Sequence, residues 1–73
     1  MSLLDIGSSI RKRRKELKVN QRTVADLSGV AVNTVVAVER GEGNPQLSSL
    51  LAILDTLGLH IAITVKQLND ETV

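Results

Sequence analysis

Seven of the nine basic residues of this chain fall within its first 22 positions. Arg11, Lys12, Arg13, Arg14, Lys15, Lys18 and Arg22 stand there against only Asp5 and Glu16, a local balance of +5. In the remainder, Arg40 and Lys66 face Asp26, Glu39, Glu42, Asp55, Asp70 and Glu71, a balance of −4, so the formal net charge of +1 conceals an asymmetry. A polyanion would meet such a chain from its N-terminal side. A solvated helix face would carry the same charges, so the run alone does not decide. Acid–base and nucleophilic chemistry finds little material. There is no cysteine, hence no disulfide and no thiolate zinc site. His60 is the single histidine and has no acidic cluster near it, which makes it an ordinary strand residue rather than a ligand or base. Gly41-Glu42-Gly43 is a lone GxG in a loop that runs to Asn44 and Pro45, with no strand before it, so no nucleotide chemistry is assigned. No acid pair, nucleophile–base set or ligand cluster can be assembled; an enzyme is not expected, nor a cofactor or metal.

These groups need elements to hold them. The stretch QRTVADLSGVAVNTVVAVER, residues 21–40, has the pattern of two short helices joined by a tight turn. Asn20 is placed as an N-cap, with Val24, Ala25 and Leu27 on one side of the helix it opens. Gly29 ends that helix, glycine being the residue that takes the left-handed conformation most easily. Thr34, Val35 and Val38 recur at helical spacing in the next segment, and Ala25 is small enough to let the two axes approach. Two helices crossing through a glycine turn form the motif that places its second helix in the DNA major groove. With Val35 and Val38 inward, the outer face of that second helix carries Val32, Asn33, Val36 and Ala37.

Upstream, residues 3–17 read as a helix with Ile6, Ile10 and Leu17 on the buried side. Arg14 falls on that same side and needs a partner there, since an unpaired buried guanidinium is very unfavourable. Downstream, LSSLLAILDTL at 47–57 has an apolar surface wider than one stripe. A fourth helix covered on two sides is expected, one side on the helix pair and the other free for a subunit partner, with Gly58 ending it. LHIAITVK at 59–66 then changes period: Leu59, Ile61, Ile63 and Val65 alternate with His60, Ala62, Thr64 and Lys66, as in a strand. A solitary strand is a template for another chain, so a two-fold dimer with an antiparallel ribbon against the fourth helices is expected. Residues 67–73 are polar and read as a frayed tail.

The chain's 73 residues allow one domain, 1–73, and a core this small rarely supplies more than roughly 3–5 kcal/mol without a staple. Oligomerisation is the expected extra source. No apolar run approaches the ~20 residues that span a bilayer, and the start lacks a signal-peptide pattern. A cytoplasmic protein without a membrane partner follows as the expectation.

The pattern Gln21-x-x-Val24-Ala25-x-x-Ser28-Gly29-Val30, followed by Asn33-Thr34-Val35-x-x-Val38-Glu39-Arg40-Gly41, resembles the lambda-repressor/Cro-like (XRE) helix-turn-helix family. The likeness runs over residues 6–57, and its glycine, alanine and apolar positions agree together. It implies an all-α, four-helix DNA-binding domain and a repressor that binds double-stranded DNA as a homodimer on a pseudo-palindromic operator. It also implies roles for individual residues. Arg14 would pair with Glu39, while Arg11, Lys12 and Arg13 are left to solvent or phosphate. Gln21 and Arg22 would hold a phosphate at the first turn of their helix, where free amides and the dipole favour an anion. Arg40 and Asn44 become candidate phosphate contacts of the following loop, in which Glu42 stands where relatives often have a base. The outer face departs from the family, which usually places polar or basic residues there. Asn33 would take adenine, Val32, Val36 and Ala37 would touch thymine methyls, and Thr34 would cap or pack. Two accounts stay open: methyl contacts combined with DNA shape, or an apolar patch for a protein partner. Residues 47–65 more narrowly resemble HipB-like antitoxins, which implies the dimerising strand and a toxin partner.

Overall fold

The computed structural model describes residues 1–63 and 65. Four helices follow in order: α1 Leu3–Glu16, α2 Gln21–Ser28, α3 Val32–Glu39 and α4 Leu47–Thr56. The starts of α1 and α2 are written in the sequence. Ser2 Oγ accepts from the Asp5 amide and Asp5 Oδ2 from the Ser2 amide, at 3.2 and 3.1 Å, a reciprocal capping box. Asn20 Oδ1 accepts from the Thr23 amide at 2.8 Å and opens α2. Each helix is followed by a residue in the left-handed region: Lys18, Gly29, Gly41 and Gly58. Three are glycines, which suit that conformation. Lys18, at φ 59°, carries a side chain there at a cost of about 1 kcal/mol.

Aliphatic side chains alone make the core: Ile10 from α1, Val24 and Ala25 from α2, Val35 and Val38 from α3, and Leu50, Ile53, Leu54 and Leu57 from α4 and its cap. α1 and α2 both pack on α3, and α4 packs on α2. Two leucines expected in this core are outside it. Leu17 is 42% exposed because α1 stops at Glu16 and the chain turns through Lys18, which brings Val19 onto the core instead. Leu27 is 71% exposed because α2 buries the side centred on Val24 and Ala25, about a third of a turn away. Leu47 and Leu51 of α4 are also exposed, so within one chain that helix is covered on one side only.

The axes of α1 and α3 come close at Gly7. A Cβ there would lie 2.2 Å from the Val38 carbonyl oxygen and 2.9 Å from that of Glu39. The helical pattern of residues 3–17 does not single this residue out; a glycine inside an apolar helical pattern is the signal that marks such a contact.

Beyond α4, residues 59–63 and 65 form no strand in the single chain, and residues 64 and 66 of the expected strand lie outside the described residues. A lone strand has no neighbour to take its N–H and C=O groups. Leu59 and Ile61 instead pack against the chain's own core, whereas Ile63 and Val65 are each 97% exposed. The expected frayed tail, 67–73, also lies outside the described residues.

Candidate nucleic-acid interface

Glu39 is 8% exposed and is the buried charged residue among those described. It sits at the end of α3, where α1 and the start of α2 converge. Arg14 meets it with both prongs of its guanidinium: Nε donates to Oε2 at 2.6 Å and Nη2 to Oε1 at 3.0 Å. The third nitrogen, Nη1, donates to the Val19 carbonyl at 3.0 Å. Gln21 Nε2 donates to Glu39 Oε1 at 3.2 Å. One carboxylate therefore joins α1, α2 and α3 through charge-assisted and amide hydrogen bonds. The hydrogen bond to Glu39, opposed by burial and helped by the Glu39 charge, holds the Arg14 pKa above its ordinary value. A raised basic pKa stabilises the fold at every pH below arginine's ordinary range, so no neutral or mildly alkaline pH releases the pair.

A hollow of about 350 Å³ opens beside this junction, lined by Arg11, Arg14, Gln21, Val36, Glu39 and Arg40. Arg14 and Glu39 neutralise each other, leaving Arg11 and Arg40 to set a positive field. Asn20 satisfies the third amide of α2, so those of Gln21 and Arg22 are the free donors at the positive end of that helix. A second hollow, about 260 Å³, flanks the other side of α3 and brings together Asn33, Thr34, Ala37 and Asn44 with Glu42 on its rim.

Between the hollows runs the outer face of α3. Asn33 and Arg40, both exposed, are seven residues and two helical turns apart at its crest. Val36 and Ala37 are half-buried on its shoulders, and Thr34 lies at one margin. Val32, expected on this face, lies at the other margin and packs against the core. Arg13, expected at solvent or phosphate, turns towards α4: its Nε donates to the Leu57 carbonyl at 2.9 Å and its Nη1 lies 3.7 Å from Glu16 Oε1. It acts as a C-cap of α4, satisfying a carbonyl that the helix end leaves free. One of five consecutive basic residues behaving this way has no signature in sequence. Arg22 is exposed on the first turn of α2. Among the described residues no group of three His, Asp or Glu side chains converges, and no helix is long and apolar enough to cross a membrane.

Two crossed helices joined at a left-handed glycine, the second presenting an uncovered face beside a basic hollow, define a helix-turn-helix domain. The chain belongs to the HTH_3 helix-turn-helix family, whose model matches residues 10–63. A HTH-type transcriptional regulator of Sinorhizobium fredii, y4mF, is 37% identical over 81% of this chain and 78% of its own length. The immunity repressor protein of Bacillus phage phi105 is 31% identical over 85% of this chain, which spans 43% of that repressor. In structure, the restriction-modification controller protein C.AhdI of Aeromonas hydrophila superposes with a TM-score of 0.72 at 33% identity, covering 80% of this chain and 88% of its own.

Proposed function

We propose that this chain is a sequence-specific DNA-binding transcriptional regulator, a repressor that works as a dimer on a pseudo-palindromic operator. The basic hollow carries the reading. It brings Arg11 and Arg40 together with Gln21, at the start of α2, and with Val36 of α3. A phosphate held there, with Asn44 reaching the backbone from the other flank, would lay α3 along the major groove. Asn33 at the crest would then take an adenine. Occupying promoter DNA in this way excludes polymerase. The names borne by y4mF and the phi105 repressor support the same class of activity.

The test is fluorescence anisotropy of a labelled duplex from upstream of the protein's own gene against a scrambled duplex, at two salt concentrations. The protein has no aromatic residue, so the label must be on the DNA. The native duplex is expected to win by about a hundredfold or more, with affinity falling steeply as salt rises. Asn33→Ala should cost about 1–3 kcal/mol on the native duplex and little on the scrambled one. The second reading is a module that binds a toxin or other protein through Val36 and Ala37, and the absence of charge on those shoulders favours it. Equal, weak, salt-abolished binding to both duplexes would select it.

The dimer is proposed to form through Leu59, Ile61, Ile63 and Val65 pairing as a strand with the same segment of a second copy. The near-complete exposure of Ile63 and Val65, together with exposed Leu47 and Leu51 on α4, supports this. Sedimentation equilibrium should find a dimer at micromolar concentration and a monomer when residues 59–73 are deleted. A dimer that survives the deletion rules the strand out.

A further inference from the structure

We infer that α3 reads C5-methyl groups of pyrimidines, so that its target includes thymine and favours 5-methylcytosine over cytosine. The inference rests on the DNA-binding reading and deepens it by naming the groups recognised. Seven residues of helix separate Asn33 from Arg40, about 10 Å at ~1.5 Å per residue, which matches about three base pairs of groove. Over that span the outer face offers one amide at Asn33, one guanidinium at Arg40, and between them the shoulders Val36 and Ala37.

Arg40 also lines the basic hollow with Arg11, which draws it towards the phosphate side and away from base edges. Asn33 is thus the one crest group left to hydrogen-bond a base. The shoulders have no donor or acceptor to offer. Facing any base edge they strip its polar groups of water and return no hydrogen bond, so a base that also presents an apolar group offsets part of that loss. In the major groove the apolar feature is the thymine C5-methyl group, and a valine methyl pair fits against it by dispersion and removal of water. Charge complementarity selects DNA over a protein for this apolar face, because Arg11 and Arg40 line the hollow beside Val36 while Glu39 is already neutralised by Arg14. A 5-methylcytosine presents its methyl at the same position in the groove. The shoulders would accept it where they reject cytosine.

Val36 is outside the core cluster, so its truncation tests recognition and opens no core cavity. A duplex selected by the full-length protein from a random pool is to be rebuilt with each thymine replaced in turn by uracil, by cytosine and by 5-methylcytosine, the latter two opposite guanine. Uracil keeps the pairing and removes only the methyl. It is expected to weaken binding about fourfold at one or two positions per half-site, the worth of about one buried methyl group. At those positions 5-methylcytosine should bind about fourfold better than cytosine, and Val36→Ala should abolish both differences. An enriched duplex indifferent to uracil at every position overturns the methyl reading and leaves the operator reading standing. Uracil sensitivity that persists unchanged in Val36→Ala and in Ala37→Gly also overturns it. A pool that yields no enriched duplex overturns both readings together.

Discussion

Gly7→Ala is expected to remove most of the stability of the protein. In an exposed helix position the same change would stabilise by about 1 kcal/mol, since alanine is the better helix former. At Gly7 the new methyl would sit 2.2 Å from the Val38 carbonyl oxygen, and backbone cannot swing aside as the end of a side chain can. α1 must lift off α3. Overpacking of this kind costs about 3 kcal/mol or more, most of what a core of this size supplies. Thermal unfolding followed by far-UV circular dichroism checks it, with Ser8→Ala on the exposed side of the same helix as the propensity control. A Gly7→Ala protein melting at or above the unaltered one would mean that α1 and α3 do not touch as described. The separation matters beyond stability, because it sets Arg14 within reach of Glu39.

That pair carries the second large effect. Arg14→Met should lower stability by about 3–5 kcal/mol, because it leaves the Glu39 carboxylate buried with only the Gln21 amide for company. Glu39→Leu should cost a similar amount by stranding the guanidinium. The double variant should lose clearly less than the two single losses added together, since neither charge is then unpaired. It will not recover fully: the Val19 carbonyl and the Gln21 amide still lose their partners. Urea unfolding in a stabilising osmolyte keeps all four proteins measurable. Additive losses would show that the two side chains do not act on one another. A DNA-side readout is also expected, with the double variant binding more weakly than its stability predicts, because Gln21 no longer has Glu39 to orient it.

Much of this architecture follows from local patterns. Asn20, Gly29, Gly41 and Gly58 mark ends that the helices keep, and Val24, Ala25, Val35, Val38 and the leucines of α4 recur at a period that survives packing. Local pattern fails where the outcome depends on an element distant in sequence. Whether Leu17 or Val19 enters the core is decided by where Lys18 turns the chain, and Lys18 is not a residue one expects in a left-handed conformation. Arg13 and Arg14 are neighbours of one type, yet one caps α4 and the other enters the junction with Glu39, because successive helical residues point about 100° apart. Val32 looks outward on a helical wheel and is drawn in by the core at its margin. The segment after Leu59 alternates like a strand, but alternation records which faces want burial and cannot supply the neighbour that pairing needs.

α2 serves as a party wall. α3 leans on one part of it and α4 on another, and the polar junction at Glu39 belongs wholly to the α1–α2–α3 side. Heritable change can therefore proceed on separate tracks. On the proposed DNA-binding and dimer readings, substitutions at Asn33, Val36 and Ala37 would retune which base pairs are favoured, and substitutions at Leu47 and Leu51 which second copy is accepted, each without disturbing the other. Val24 and Ala25, in the wall itself, have no such freedom. Such a chain has room to vary at its two outer surfaces around a fixed pair, Val24 and Ala25, in α2.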